Sequence, residues 1–216
     1  MGNKHIFERV YENPEAAPWN TTEPPEELVQ LIETQTLKPC KTLDIGCGNG
    51  NYSIFLAAQG FDVTGIDISE NAIKHAKKRS LEHGIKCKFI SMNIITDLHG
   101  INEKFDFILE WGLLHFILPE FRGEYVKNVA NLLNTGGKYI SLCFNEKSPE
   151  WGGGKYRTGL TGAKLYYSSM EELKKLFSPY FKLLAAKERS IFFKNSNNTH
   201  IENYLFMEKG RESPSE

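Results

Sequence analysis

A short apolar run, Thr42-Leu43-Asp44-Ile45, breaks into a loop with glycine at every second position: Gly46, Gly48 and Gly50. The run reads as a short buried strand, and the apolar segment 52–59 behind the loop reads as a helix closed by Gly60. A strand that feeds through glycines into a helix is the opening unit of a parallel α/β sheet. Glycine lets the chain turn sharply there and leaves no Cβ between backbone and ligand. Ligands of such sheets bind where loops leave the carboxyl ends of strands.

The alternation continues. Residues 62–67 form a nearly unbroken apolar strand, as buried parallel strands do. Ser69 then caps a helix that runs to about His83 and stops at Gly84. Segments 86–92 and 104–111 read as strands, Pro119 opens a helix through Leu133, and Asn134-Thr135-Gly136-Gly137 turns into a strand over 138–144. The last third departs from the pattern. A long connection with glycines and aromatics covers 145–168, a short helix follows over 169–177, and strands over 181–193 and 201–209 meet at the Asn195-Ser196-Asn197-Asn198 turn as an antiparallel hairpin. Ahead of the first strand, Leu28, Leu31 and Ile32 recur at helical spacing, behind an arm that carries Phe7, Tyr11 and Trp19.

With 216 residues, 40% of them hydrophobic, the chain can bury one substantial core. The expected division is an arm and helix over 1–40, an α/β domain over 41–210 and a disordered tail over 211–216. Basic and acidic residues number 26 and 27, with no dense Lys/Arg run, which argues against a nucleic-acid partner and for a small-molecule one. The first residues lack the apolar core of a signal peptide, Ile6 breaks the myristoylation pattern behind Gly2, and no apolar run is long enough to cross a bilayer. Cys40, Cys47, Cys87 and Cys143 are scattered, which points to reduced thiols, a cytoplasmic protein and no metal site.

Two acids frame the loop. Asp44 precedes it, placed to orient the loop or to accept a bond from a cationic amine. The second strand ends Gly65-Ile66-Asp67, about twenty residues beyond the loop, where a carboxylate can accept bonds from both hydroxyls of a ribose. The plain alternative is a tight turn with a helix-capping Asp. The spacing Gly-x-Gly-x-Gly also differs from the dinucleotide fingerprint, because Asn51 stands where that pattern has its third glycine. This disfavours a nicotinamide dehydrogenase.

Residues 26–210 resemble the class I methyltransferases that use S-adenosylmethionine (SAM). The run Leu43-Asp44-Ile45-Gly46-Cys47-Gly48-Asn49-Gly50 is similar to the family's first motif, and Val63-Thr64-Gly65-Ile66-Asp67-Ile68-Ser69 to its second. The resemblance implies a Rossmann-like, mostly parallel seven-stranded sheet with a C-terminal antiparallel hairpin and helices on both faces. It also implies SAM as methyl donor, S-adenosylhomocysteine as product, and contacts from Asp44, Gly46, Gly48, Asn49, Gly50, Asp67 and Ile68. Asn93, followed by Ile94, stands where the family commonly has an Asp that meets the adenine, with Asp97 as a rival.

After the fourth strand, Glu110-Trp111-Gly112-Leu113-Leu114-His115 resembles the small-molecule members, which show Leu-Leu-His there. Glu110 is a candidate to touch the cofactor or act as a base, and Trp111 to touch the acceptor. His115 is a candidate acceptor contact and proton acceptor, with a packed structural histidine as the alternative. The arm segment Pro18-Trp19-Asn20 resembles the Pro-Trp-Asp of the thiopurine and tellurite-resistance branch, where an arm covers the cofactor. That implies closure by Tyr11 and Trp19; otherwise Trp19 pins the arm to the core. The loop over 145–168, with Trp151, Tyr156, Arg157 and Tyr166, lies where the family places substrate-determining insertions, and Arg157 is the candidate to pair with an anionic acceptor. Rival functions are an RNA or protein methyltransferase, marked by a basic stripe, and a silent SAM-binding module. Acceptor identity and oligomeric state stay open.

Overall fold

The computed structural model describes residues 3–21, 23–97, 100–150, 152–193 and 198–210. Trp151, the Asn195-Ser196-Asn197 part of the hairpin turn and the tail over 211–216 lie outside the described residues.

Seven strands form one sheet: β1 (Lys41–Ile45), β2 (Asp62–Asp67), β3 (Lys88–Ser91), β4 (Phe105–Trp111), β5 (Leu133–Phe144), β8 (Phe181–Phe193) and β9 (Asn198–Lys209). Their order is β3-β2-β1-β4-β5-β9-β8, and β6 (Tyr156–Thr158) and β7 (Lys164–Tyr166) make a separate two-stranded ribbon. Strands β1 to β5 pair in parallel, whereas β9 runs antiparallel to both β5 and β8. This is the Rossmann-like methyltransferase fold expected from the sequence. The strand order reverses between β1 and β4, so the crevice for a ligand opens at their carboxyl ends.

Alternation within β4 shows how the sheet is clamped. Ile108 belongs to one core with Tyr125, Val126 and Val129 of α5 (Pro119–Leu132) and Leu173 and Phe177 of α6 (Met170–Phe177), which Phe105 joins across a register shift. Phe107 and Leu109 point the other way, into a core with Leu28 of α2 (Glu26–Glu33) and Leu56 of α3 (Asn51–Ala58). Side chains alternate faces along a strand, and each fully buried Leu or Phe is worth about 1.5–3 kcal/mol, so both layers hold the sheet. Helix α4 (Glu70–Glu82) closes on α3 through Ile54, Ile73, Ala76 and Phe89.

Two local outcomes differ from the sequence reading. The turn over 134–137 is absorbed into β5, because Leu133 already pairs with Phe105, and a register shift between Phe105 and Phe107 takes up the extra residues. The connection over 145–168 carries the ribbon, in which Arg157 faces Leu165. Among the described residues no helix is long and apolar enough to cross a membrane.

Candidate active site

The glycine loop hangs from the neighbouring strand: Gly46 N and Cys47 N both donate to Ile66 O, at 2.8 and 3.0 Å. Gly46, Gly48 and Gly50 all have positive φ, a region that side chains with a Cβ rarely enter. At Gly48 the steric demand is direct, since an added Cβ would lie 2.5 Å from the Tyr11 hydroxyl oxygen. Asp67 clasps the same loop. Its Oδ2 accepts from Gly48 N at 3.0 Å and its Oδ1 from Ser69 N at 2.9 Å. Burial pushes the Asp67 carboxyl up to about 6, against the pull of these amides. Asp44 is also buried; Ser53 Oγ donates to its Oδ2 at 2.6 Å, and burial lifts it to about 7. Ile68 follows at the half-buried rim, and Asn49 is buried beside the loop.

The N-terminal arm lies across this end. Trp19 Nε1 donates to the Tyr11 hydroxyl at 3.0 Å, and Tyr11 is buried above Gly48. Asn20 Oδ1 accepts from Asn49 Nδ2 and Asn51 Nδ2, at 3.0 and 3.1 Å. An aspartate would offer an acceptor there too, so the Asn for Asp exchange keeps the contact. A second latch is Glu8, on α1 (Lys4–Val10), which accepts from Ser69 Oγ at 2.9 Å, Glu70 N at 2.8 Å and Asn71 N at 3.1 Å. Sequence reading missed Glu8, because its partners lie more than sixty residues away; only the open N-terminus of α4 hinted at an acid.

Beyond β3, Asn93 Oδ1 accepts from Ile95 N at 2.9 Å, Asp97 Oδ2 accepts from Asn93 N at 3.0 Å, and Ile94 is buried. Asn128 donates to Ile94 O and Ile95 O and holds this loop from behind.

Several sequence candidates take other places. Glu110 is fully buried and pins the turn after β4: its Oε1 accepts from Leu113 N and Leu114 N, at 2.6 and 3.0 Å, and its Oε2 from Ser141 Oγ at 2.5 Å. Both oxygens support the turn, and burial lifts the carboxyl to about 7. Trp111 faces the α3 side, in edge contact with Tyr52 at 6.2 Å and under the Arg189 guanidinium at 5.4 Å. Arg157 is buried and gives hydrogen bonds to four backbone carbonyls, those of Glu146, Ser148, Glu150 and Gly154. It clamps its own loop instead of presenting its charge to a ligand. Tyr166 donates to Glu172 Oε1 at 2.9 Å, and Tyr156 is exposed.

His115 sits in a single turn of helix after β4, 4% exposed and stacked on Phe144 with ring centres 4.0 Å apart. Burial, helped by Arg122 and His200, pushes its imidazole down to about 3, so it is neutral at physiological pH. Next to it, Phe116 meets Phe7 and Trp19 of the arm at 4.9 and 5.8 Å. The arm thus covers both the glycine loop and the segment after β4.

Residues 42–137 match the family model described as a methyltransferase domain. The chain is 34% identical to the probable S-adenosyl-L-methionine-dependent methyltransferase TehB of Haemophilus influenzae over 106 residues, 47% of this chain and 35% of that protein. It is 30% identical to probable thiol methyltransferase 2 of Arabidopsis thaliana over 131 residues, 60% of this chain and 57% of that protein. The chain spans about half, or less, of the length of these curated relatives. Among solved structures it is similar to the 1,6-didemethyltoxoflavin-N1-methyltransferase of Burkholderia thailandensis, with a TM-score of 0.75 and 18% identity over 96% of this chain and 87% of that one. That likeness is one of fold.

Proposed function

We propose that this chain, which carries a methyltransferase domain over residues 42–137, moves a methyl group from SAM to a small-molecule nucleophile. The observation that carries the reading is the clasp of Asp67 on Gly48 beneath Tyr11. A Cβ-free loop, a carboxylate at the second strand end and an aromatic cover form a cradle suited to a nucleoside with a cationic tail. Asp67 would hold the ribose, Gly46, Gly48 and Gly50 the backbone-facing side, Asn93 and Ile94 the adenine, and Asp44 the amino-acid end. Bound SAM supplies an electrophilic methyl on its sulfonium. The chain's own residues then have to align the acceptor and exclude water, and positioning of that kind can supply about 7–11 kcal/mol.

The named relatives support a small acceptor: one is named for thiols and a structural neighbour for a toxoflavin nitrogen. The near balance of charge fits no nucleic-acid partner, and four unpaired cysteines fit a reducing, cytoplasmic setting. In this division the arm over 1–40 covers the donor site, residues 41–210 form the catalytic domain, and the loop over 145–168 borders the acceptor.

The test is calorimetry with SAM and with NAD, followed by labelled SAM against thiols, selenite, tellurite, phenols and amines. We expect micromolar SAM binding, no NAD binding and S-adenosylhomocysteine release with one acceptor class. Binding of NAD without SAM would overturn the reading. SAM binding with no turnover would favour a macromolecular acceptor or a regulatory module.

A further inference from the structure

Helix α1 meets the rest of the molecule on three sides. On the first, Glu8 caps α4 from outside that helix. Its carboxylate accepts from Ser69 Oγ at 2.9 Å, Glu70 N at 2.8 Å and Asn71 N at 3.1 Å, and Asn71 Nδ2 donates back to Glu8 O at 3.0 Å. Lys4 adds an ion pair with Glu70 at 3.4 Å. On the second side, Phe7 packs on Phe116 of the turn after β4, with ring centres 4.9 Å apart. On the third, Asn3 Nδ2 at the head of the helix donates to Lys164 O at 3.3 Å, and Arg9 Nη2 donates to Thr161 O at 3.4 Å. Thr161 and Lys164 lie at the tip of the ribbon, where β6 turns into β7.

The foot of α1 is Tyr11, whose N–H donates to Phe7 O at 2.9 Å and whose ring is buried above Gly48. The seven residues of the helix span only about 10 Å, so α1 moves as one body with Tyr11. Its holds differ in strength. Bonds from amides and a hydroxyl to a carboxylate at a helix N-terminus are charge-assisted and complement the helix dipole. The two bonds to the ribbon tip are longer and exposed. The root of the ribbon is held by other means: Arg122 donates to Tyr166 O and Ser168 Oγ, at 3.2 and 2.6 Å, and to Leu114 O and Ile117 O of the turn after β4. A strand pair pinned at its root and lightly touched at its tip opens first at the tip.

We propose that α1 is a strap that couples the glycine loop to the ribbon, with Glu8 as the positioning residue that latches it. A ligand seated on the loop meets Tyr11 and so fixes α1, and fixing α1 restrains the ribbon tip through Asn3 and Arg9. The proposal rests on the methyltransferase reading for the identity of that ligand. Coupling of this kind is reciprocal, so an acceptor that orders the ribbon tightens binding at the loop by the same factor.

The test follows amide hydrogen exchange over residues 156–166 of the full chain, free and saturated with S-adenosylhomocysteine, beside calorimetry of the same samples. In the parent, exchange at the ribbon tip should slow by about fivefold or more on binding. Glu8→Ala should lose that slowing and bind S-adenosylhomocysteine about tenfold more weakly. Glu8→Gln keeps an acceptor oxygen and should fall between the two. Asn3→Ala combined with Arg9→Ala cuts only the tip contacts. It should lose the slowing while its affinity stays within about threefold of the parent. Unchanged exchange in β5 separates a released strap from a damaged fold. No slowing in the parent, slowing that survives the double variant, or parent affinity in Glu8→Ala would overturn the proposal. A parent that binds neither SAM nor S-adenosylhomocysteine overturns the methyltransferase reading instead, and this inference with it.

Discussion

Over β1 and β2 the buried ionisable groups are the carboxylates Asp44 and Asp67, lifted by burial to about 7 and about 6. Beyond β4 and β5 both signs are buried together: the neutral imidazole of His115 and the guanidinium of Arg122 lie with the acids Glu110, Glu150 and Glu202. The first pair offers a ligand only acids, the second region an imidazole and a guanidinium offset by acids, and in a water-poor site such differences are strengthened. The sheet keeps the two sets on different strand ends. The difference teaches that the glycine-loop end is built from backbone and acids, and the end beyond β4 from aromatics and charges of both signs.

The sharpest way to break this comparison is Asp67→Ala. Loss of a charged acceptor for two hydroxyls should weaken SAM binding by about a hundredfold in calorimetry. An affinity within threefold of the parent would remove Asp67 from the donor end. Gly48→Ala comes next. The new Cβ meets the Tyr11 hydroxyl at a φ of +54°, so the arm must lift or the loop must strain. The cost should be about 1–3 kcal/mol. Trp19 fluorescence should report the displaced arm, and an unchanged spectrum with unchanged SAM affinity would show that the arm does not close this end.

The glycine-loop end was legible because its geometry is local. Three glycines, Asp67 and the Ser69 cap lie within one strand–loop–helix–strand unit, and Ser69 Oγ accepts from Ala72 N as its position implied. The end beyond β4 hid in tertiary inversions. Phe121 is 43% exposed while its neighbour Arg122 is 5% exposed, the reverse of what hydrophobicity says of that pair. Arg122 is drawn inward by carbonyls at the end of the turn after β4 and by the ribbon strand, partners that no local pattern announces. Glu110 looked like a site acid because it stands at a strand end; two amides and Ser141 claim it for the turn. Arg157 looked free because the sequence cannot show that its loop folds back on it.

Burial of an acid at one end and of an imidazole at the other should appear as opposite pH slopes of stability. Asp44 has its folded pKa raised from 3.8 to about 7, so the folded state binds more protons than the unfolded one across that window. Stability from this group therefore falls as pH rises between about 4 and 7. His115 is depressed from 6.5 to about 3, so the unfolded state binds more protons and stability falls as pH drops through that range. In urea titrations from pH 4 to 7, Asp44→Asn should make stability rise more steeply with pH than in the parent. His115→Phe should make it rise less steeply, and each change is capped at about 1.4 kcal/mol per pH unit. Two variants that move the slope in the same direction would break the comparison.

Arg157 should give the smallest functional effect, and for that reason it sharpens the boundary of the acceptor end. Its guanidinium lies 3.8 Å from the Tyr167 ring centre, and its hydrogen bonds all end on carbonyls of its own loop. Arg157→Met keeps the length of the stem and removes the donors. The exposed loop can hydrate part of what is lost, so the net cost should be about 1 kcal/mol, or a fall in Tm of about 2–4 °C for a chain of this size. Acceptor KM should change by less than about threefold, because the hydrogen bonds of Arg157 hold the loop itself. If KM instead rises tenfold or more with Tm unchanged, the loop's arginine reaches the acceptor.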